Sequence, residues 1–245
     1  MKLSDNTVLI TGGGSGIGLA LAKAFVRHSR NTVIVCGRNA QKLAAVHADN
    51  PTIATVPCDI ASAQDQQRLT EVITRTYPNL NILVNNAGIQ HNYSFLDTRS
   101  HSDVIEEEVT INFLAQVQLT DRLLPVLLRQ PKAALVNVTS ALAVVPKQSA
   151  PIYCATKAAM RSFTKALRYQ LASSAVSVFE IIPALVDTEM TKGRGKGKIT
   201  PQVLAAEALR GIESDRYEIR IAKTKLLFAL HRLLPSVAER IIKNG

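Results

Sequence analysis

The segment from Thr7 to Arg27 restricts the possible folds more than any other. A short apolar run, Thr7–Thr11, meets Gly12-Gly13-Gly14-Ser15-Gly16-Ile17-Gly18 and passes into helical spacing over Ile17–Arg27. The run is almost continuously apolar rather than alternating, as in a strand covered on both faces. Similar runs recur at Asn31–Cys36, Thr52–Pro57, Asn81–Asn85, Ala133–Ser140 and Val176–Ile182, with a seventh strand expected at Tyr217–Ala222. Between them, helical patterns cover Ala40–Ala48, Ala63–Thr76, Asp103–Leu128 and Ala150–Ala172, and Ser62 is the expected N-cap of the third helix. Strand–helix–strand repetition with short connections predicts an α/β fold, a doubly wound parallel sheet of about seven strands with helices on both faces.

At 245 residues the chain suits one such domain, 1–245, burying about 70–75% of the surface its unfolded form exposes. Met1–Asn6 is polar and is not a basic-then-apolar leader, and no apolar run reaches the roughly 20 residues of a membrane span. Cys36, Cys58 and Cys154 are too few and too scattered for a disulfide framework, and the five histidines lack metal-ligand spacing, so no metal is expected. A cytoplasmic protein is expected. The net charge of +10 is concentrated late: from Lys192 onward twelve Lys/Arg face five Asp/Glu, which is +7. No helix-turn-helix, zinc-finger or RNA-platform signature accompanies it, so no nucleic acid is expected as partner. A solvated basic face is the plain reading.

The glycine turn follows G-x-x-x-G-x-G through Gly12, Gly16 and Gly18 rather than the six-residue dinucleotide fingerprint. Glycines let the backbone approach a pyrophosphate, and the helix N-terminus offers unpaired N–H groups to it. Thr11, Gly12, Gly14, Ser15, Gly16, Ile17 and Gly18 are therefore candidate coenzyme contacts; the alternative is a tight structural turn. The second strand ends in Gly37-Arg38, with no carboxylate for a ribose 2′-hydroxyl and a guanidinium suited to a 2′-phosphate. This reads as NADP(H), with NAD(H) the alternative. Asp59, before Ile60, would accept from the adenine amino group or cap the helix that follows. Asn86, Ala87 and Gly88 are small residues where a ligand would lie close to the backbone.

At the other end, Tyr153 and Lys157 stand at i and i+4 on one helix face. A free phenol, with a pKa near 10, is a poor proton carrier at neutral pH. A neighbouring ammonium would lower that value toward the working range. Ser140, after the fifth strand, could hydrogen-bond the same substrate oxygen.

Together, Thr11-Gly12, Gly16, Gly18, Asn86-Ala87-Gly88, Asn112, Ser140 and Tyr153 with Lys157 resemble the motifs of the short-chain dehydrogenase/reductase family, in that family's order, from about Leu3 to Met190. The Cys-Gly-Arg after the second strand is similar to the DltE-type branch. The resemblance implies a Rossmann-type oxidoreductase acting on an alcohol/carbonyl substrate. It makes Tyr153 the proton donor/acceptor, Lys157 its pKa-lowering partner and ribose ligand, and Ser140 the orienting hydroxyl. Asn112 would hold a water in a proton relay to Lys157; Asp59 and Ile60 would flank adenine. Pro183, Val186 and Thr188 belong to the nicotinamide end, where Pro183-Ala184 replaces the family's usual Pro-Gly and Thr156 its usual Ser. It also implies a homodimer or homotetramer built through Asp103–Leu128 and Ala150–Ala172. The rival reading is a non-catalytic NADP(H)-binding redox sensor.

Other features carry weaker expectations. Cys154 reads as a small core filler, and Glu106-Glu107-Glu108 as a solvated face. The basic, glycine-rich Lys192–Lys198 stretch, in the 192–245 region, falls where a substrate lid would lie. Lys192, Arg194, Lys196 and Lys198, with Arg161 near them, would favour an anionic substrate. Lys223–Ile242 reads as one amphipathic helix that covers the active-site mouth, joins subunits, or makes peripheral contact with an anionic membrane.

Overall fold

The computed structural model describes residues 1–244. Its strands are β1 (Thr7–Thr11), β2 (Thr32–Gly37), β3 (Ile53–Pro57), β4 (Leu80–Asn85), β5 (Ala133–Val138), β6 (Val176–Ile182) and β7 (Glu218–Arg220). They form one parallel sheet in the order β3-β2-β1-β4-β5-β6-β7. The order reverses between β1 and β4, and in such sheets a crevice opens at the carboxyl ends of the two strands.

The near-continuous apolar strands now have their reason. Val8 and Ile10 of β1 enter a core with Phe25 of α1 (Gly16–Val26) and Leu204 of α7 (Pro201–Glu213). Leu9, between them, enters the opposite core with Leu69 of α3 (Ala63–Thr76) and Leu119 of α5 (Ala115–Leu128). Each fully buried aliphatic side chain contributes roughly 1.5–3 kcal/mol relative to exposure, so polar residues on either strand face would be costly. The remaining helices are α2 (Ala40–Asp49), α4 (Ser102–Val109), α6 (Pro151–Gln170), α8 (Thr224–Leu233) and α9 (Pro235–Ile242). Among the described residues no helix is long and apolar enough to cross a membrane.

Several expectations need correction. The long helix expected over Asp103–Leu128 is α4 and α5 joined by a π-turn at Thr110–Leu114. The amphipathic helix expected over Lys223–Ile242 is broken at Leu234-Pro235, where the proline lacks an N–H and disfavours helical backbone before it. Helix α7 was not anticipated, although Thr200 accepts from the Val203 amide and Pro201 follows it, a conventional start signal. Strand β5 stops at Val138, leaving Thr139 and Ser140 just beyond the sheet. Ser62 caps α3 as expected, accepting from the Asp65 amide at 3.2 Å.

The glycine turn is built on close approach. Gly12 and Gly16 have φ of 66° and 53°, a region glycine enters without steric cost. A Cβ on Gly18 would strike the carbonyl oxygen of Gly12 and lie 2.6 Å from Asn86 Nδ2. Gly18→Ala is expected to cost about 1–3 kcal/mol, as overpacking against backbone does. Urea melts should show a lower midpoint at unchanged slope; an unmoved midpoint would refute the packing argument.

Candidate active site

A cleft of about 330 Å³ lies along the carboxyl ends of β1, β2, β4 and β5. Its first part is the turn after β1, where Gly12, Gly14, Ser15, Gly16 and Ile17 form the floor. Ser15 stands at the N-cap of α1 without a side-chain cap bond, so the first amides of α1 face the cleft unsatisfied by that hydroxyl. Gly37, Arg38, Asp59 and Ile60 line the next part, and Asn86, Ala87 and Gly88 the wall after β4. Tyr153, Lys157, Pro183 and Thr188 close the far end.

Three of the expected coenzyme contacts are not cleft walls. Thr11 is fully buried and positions the wall instead: its hydroxyl accepts from the Asn86 and Ala87 amides at 2.9 and 3.0 Å. Gly18 packs on Gly12, and Val186 turns into the core and bridges to Ile199. Asp59 neither caps α3 nor stands free; its Oδ1 accepts from the Ala61 amide at 3.0 Å. Lys42 and Glu189 went unanticipated. They form an ion pair across the cleft, and nothing in the spacing of residues 147 positions apart signals it.

Arg38 is more than half exposed, and its guanidinium pairs with Glu107 at 3.5 Å; the other Glu107 oxygen is 2.9 Å from His91 Nε2. The acidic run is therefore not a uniform solvated face. Glu106 is exposed, but Glu108 is completely buried, with Oε1 accepting from the His91 amide at 2.7 Å.

The reacting end is assembled by three elements. The π-turn carries Asn112, whose Oδ1 accepts from the Ile89 amide at 2.8 Å and whose Nδ2 donates to the Ile89 carbonyl and Thr156 Oγ1. Its carboxamide is thus committed to Ile89 and Thr156 rather than to Lys157. Lys157, on α6, donates to the Val138 carbonyl at 2.9 Å. A Cβ on Gly88 would lie 3.2 Å from Asn112 Oδ1 and 3.6 Å from Lys157 Nζ, so glycine spares that junction a crowded contact. Ser140 follows β5, and its Oγ accepts from the Leu142 amide at 3.1 Å.

The ionisation of the pair departs from the sequence reading. Burial pushes the Tyr153 phenol up to about 12, with the Ser140 hydrogen bond drawing it partly down. Burial also pushes Lys157 down to about 8. The ammonium lies 5.8 Å from the Tyr153 ring centroid and donates to Val138, while burial is the largest influence on the phenol and leaves it above its ordinary value. What the arrangement offers is a neutral phenol that can donate a proton beside a cation.

Cys154 is buried with its Sγ against the Lys147 amide, consistent with a core filler. Cys36 and Cys58, twenty-two positions apart, are buried neighbours, and all three cysteines are free. Arg161 does not join the basic loop; it pairs with Glu180 at 2.6 Å.

Residues 6–198 match the family model described as short chain dehydrogenase. Over 218 residues the chain is 44% identical to a Bacillus subtilis (strain 168) protein named Uncharacterized oxidoreductase DltE, covering 89% of this chain and 83% of that one. It is 29% identical over 220 residues to an uncharacterized oxidoreductase of Staphylococcus aureus (strain USA300), covering 88% and 94%. Among solved structures, a short chain dehydrogenase from Burkholderia cenocepacia J2315 in complex with NADP has the same fold, with a TM-score of 0.88 at 22% identity and 100% of both chains covered. A short-chain dehydrogenase from Sphingobium yanoikuyae in complex with NADPH gives 0.78 at 26% identity, over 94% and 95%.

Proposed function

We infer that this chain, which belongs to the short chain dehydrogenase family, is an oxidoreductase that uses NADP(H) to interconvert an alcohol and a carbonyl compound. The observation that carries the reading is a single cleft with the glycine turn and Arg38 at one end and Tyr153, Lys157 and, beside the phenol, Ser140 at the other. Its bare glycine floor at a helix N-terminus suits a pyrophosphate, and the relatives of known structure described above were solved with NADP and NADPH. NAD(H) is the secondary coenzyme, since a related structure from Burkholderia phymatum holds NAD.

When bound, the nicotinamide supplies or accepts the hydride. The residues of this chain do the rest. Tyr153 holds a proton at its hydroxyl for the substrate oxygen, and Ser140 orients that oxygen from the side. Lys157 keeps a positive charge beside a phenol that becomes anionic when it donates. Gly88 and Asn112 hold the wall behind Lys157 in place. The intact set of Tyr153, Lys157 and Ser140 argues for catalysis over a purely sensing role. Exposed Val109, Leu114, Leu128 and Tyr169, on the helices α4 to α6, support a homodimer or homotetramer built there.

Arg38 supports the preference for NADP(H). It would exchange the Glu107 carboxylate for a more highly charged phosphate, gripped through its fork of N–H donors. Arg38→Gln is expected to raise KM for NADPH about ten- to a hundredfold, since a hydrogen bond to a charged group contributes about 1.5–3 kcal/mol. KM for NADH should stay within a factor of two or so, there being no phosphate to lose. Initial rates with both coenzymes check this; equal changes for the two would remove Arg38 from the 2′-phosphate site.

A further inference from the structure

We propose that Arg194, with Lys147 near it, takes the carboxylate of an acidic carbonyl substrate held against Tyr153, so that oxo acids rather than neutral ketones are reduced here. The proposal rests on the oxidoreductase reading above and names the substrate class of the same site.

The basic loop does not act as a block. Lys192 and Lys196 are exposed, and Lys198 is tied down by the Thr191 carbonyl and Asp187. Arg194 alone turns inward. Its Nη2 donates to the Gln90 carbonyl at 3.4 Å, while its Nη1 is buried with no partner among the described residues. A buried guanidinium N–H left unpaired costs free energy, and a bound acid group would supply the missing acceptor.

The peptide that Arg194 holds is shared. The Gln90 carbonyl receives Arg194, and the N–H of the same peptide, on His91, donates to Glu108 Oε1. In a trans peptide these groups point in opposite directions, so guanidinium and carboxylate stand on opposite sides of the chain and do not neutralise each other. On its own side Glu108 keeps a second orphan, Oε2, and the buried Tyr93 hydroxyl is a third. On the guanidinium side, Arg194 Nη1 is left as an unpartnered donor for a polar ligand.

Gln90, which Arg194 holds, follows Ile89, and Ile89 lines the same cleft as Tyr153. The charges of Arg194 and Glu108 both reach Tyr153, the first easing its ionisation and the second opposing it. Lys147 and Arg194 also repel one another. Neither cation has a carboxylate partner among the described residues, and an anion between them would relieve that repulsion.

The test pairs an acid with its neutral twin. A 3-hydroxy acid and its methyl ester are titrated by calorimetry into the protein loaded with NADPH, where neither can turn over, and a 3-oxo acid and its ester are assayed with NADPH. The acids should bind and react about tenfold better than the esters, and Arg194→Gln should erase that advantage without changing KM for NADPH. Lys147→Gln should reduce the advantage by a smaller factor. Equal binding of acid and ester by the unmodified protein, or an acid advantage that survives Arg194→Gln, overturns the proposal. If the acid binds through Arg194 but no carbonyl compound is reduced, the acid site stands and the proposed reaction falls. If acids and esters are reduced alike in a Tyr153-dependent way, the reaction stands and the acid site falls.

Discussion

Replacing Tyr153 with Phe is expected to lower kcat by about a thousandfold while leaving coenzyme affinity nearly unchanged. The ring, its burial and its packing against Ala150 and Cys154 persist in the variant; only the proton-bearing oxygen is lost. General acid catalysis by a positioned group contributes about 10²–10⁴-fold, which sets the scale. The phenol of the unmodified protein stays neutral far above physiological pH because burial holds it at about 12. It is therefore set to donate a proton. The pH profile should report Lys157 instead, which burial has brought down to about 8. Below that value the ammonium is present to stabilise the phenolate that donation leaves behind; above it the charge is lost. Reduction should hold its rate through neutrality and decline as pH rises past about 8. Stopped-flow rates and a coenzyme titration on the two proteins check this. A Phe variant with more than a tenth of the normal kcat would remove the phenol from the chemistry.

Much of this was legible in the residues because the relevant patterns are local. Apolar runs mark strands covered on both sides, and Tyr153 and Lys157 share a face by helical spacing alone. What the spacing could not reveal is where a flexible side chain ends. Lys157 Nζ goes to the Val138 carbonyl, and burial of the Tyr153 hydroxyl leaves the phenol raised rather than lowered overall. The π-turn at Thr110–Leu114 was hidden for a related reason: no proline or glycine marks it, and its place is tied to Asn112 reaching Ile89, twenty-three positions away. Glu106 to Glu108 misled because a charge run was read as one surface. Successive helical residues point about 100° apart, so Glu106 meets solvent while Glu108 is buried. The break before Pro235, by contrast, was visible and simply outweighed by the leucine pattern.

Arg161→Ala is expected to cost about 3–5 kcal/mol of stability, a large share of the 5–15 kcal/mol available to a domain. Arg161 follows Lys157 by one helical turn, and its Nη1 meets Glu180 Oε2 at 2.6 Å. The Glu180 side chain is only 3% exposed, and its other oxygen accepts from the Thr139 hydroxyl at 2.7 Å. Glu218 is a further partner of the guanidinium at 3.4 Å. Removing Arg161 leaves the buried Glu180 carboxylate with a single neutral donor, facing Glu218, which Arg220 still pairs at 3.0 Å. The loss should depend on pH. Burial already holds the Glu180 carboxyl above the ordinary carboxylate range, and the Thr139 hydroxyl and Arg161 together draw it partly down. Without the guanidinium it moves higher. An acid raised in the folded state keeps its proton there while the unfolded chain releases it, so stability falls as pH climbs from the ordinary carboxylate range through the raised value. Urea melts should find Arg161→Ala closer to the unmodified protein near pH 5 than at pH 7.5, and Arg161→Ala combined with Glu180→Gln should regain part of the loss and shed most of the pH dependence. Equal midpoint shifts at both pH values would mean that Glu180 is not an uncompensated charge. Because Thr139 precedes Ser140, the same variant tests whether this pair steadies the reacting end: kcat should fall for Arg161→Ala under conditions where the protein is still fully folded, and recover in the double variant.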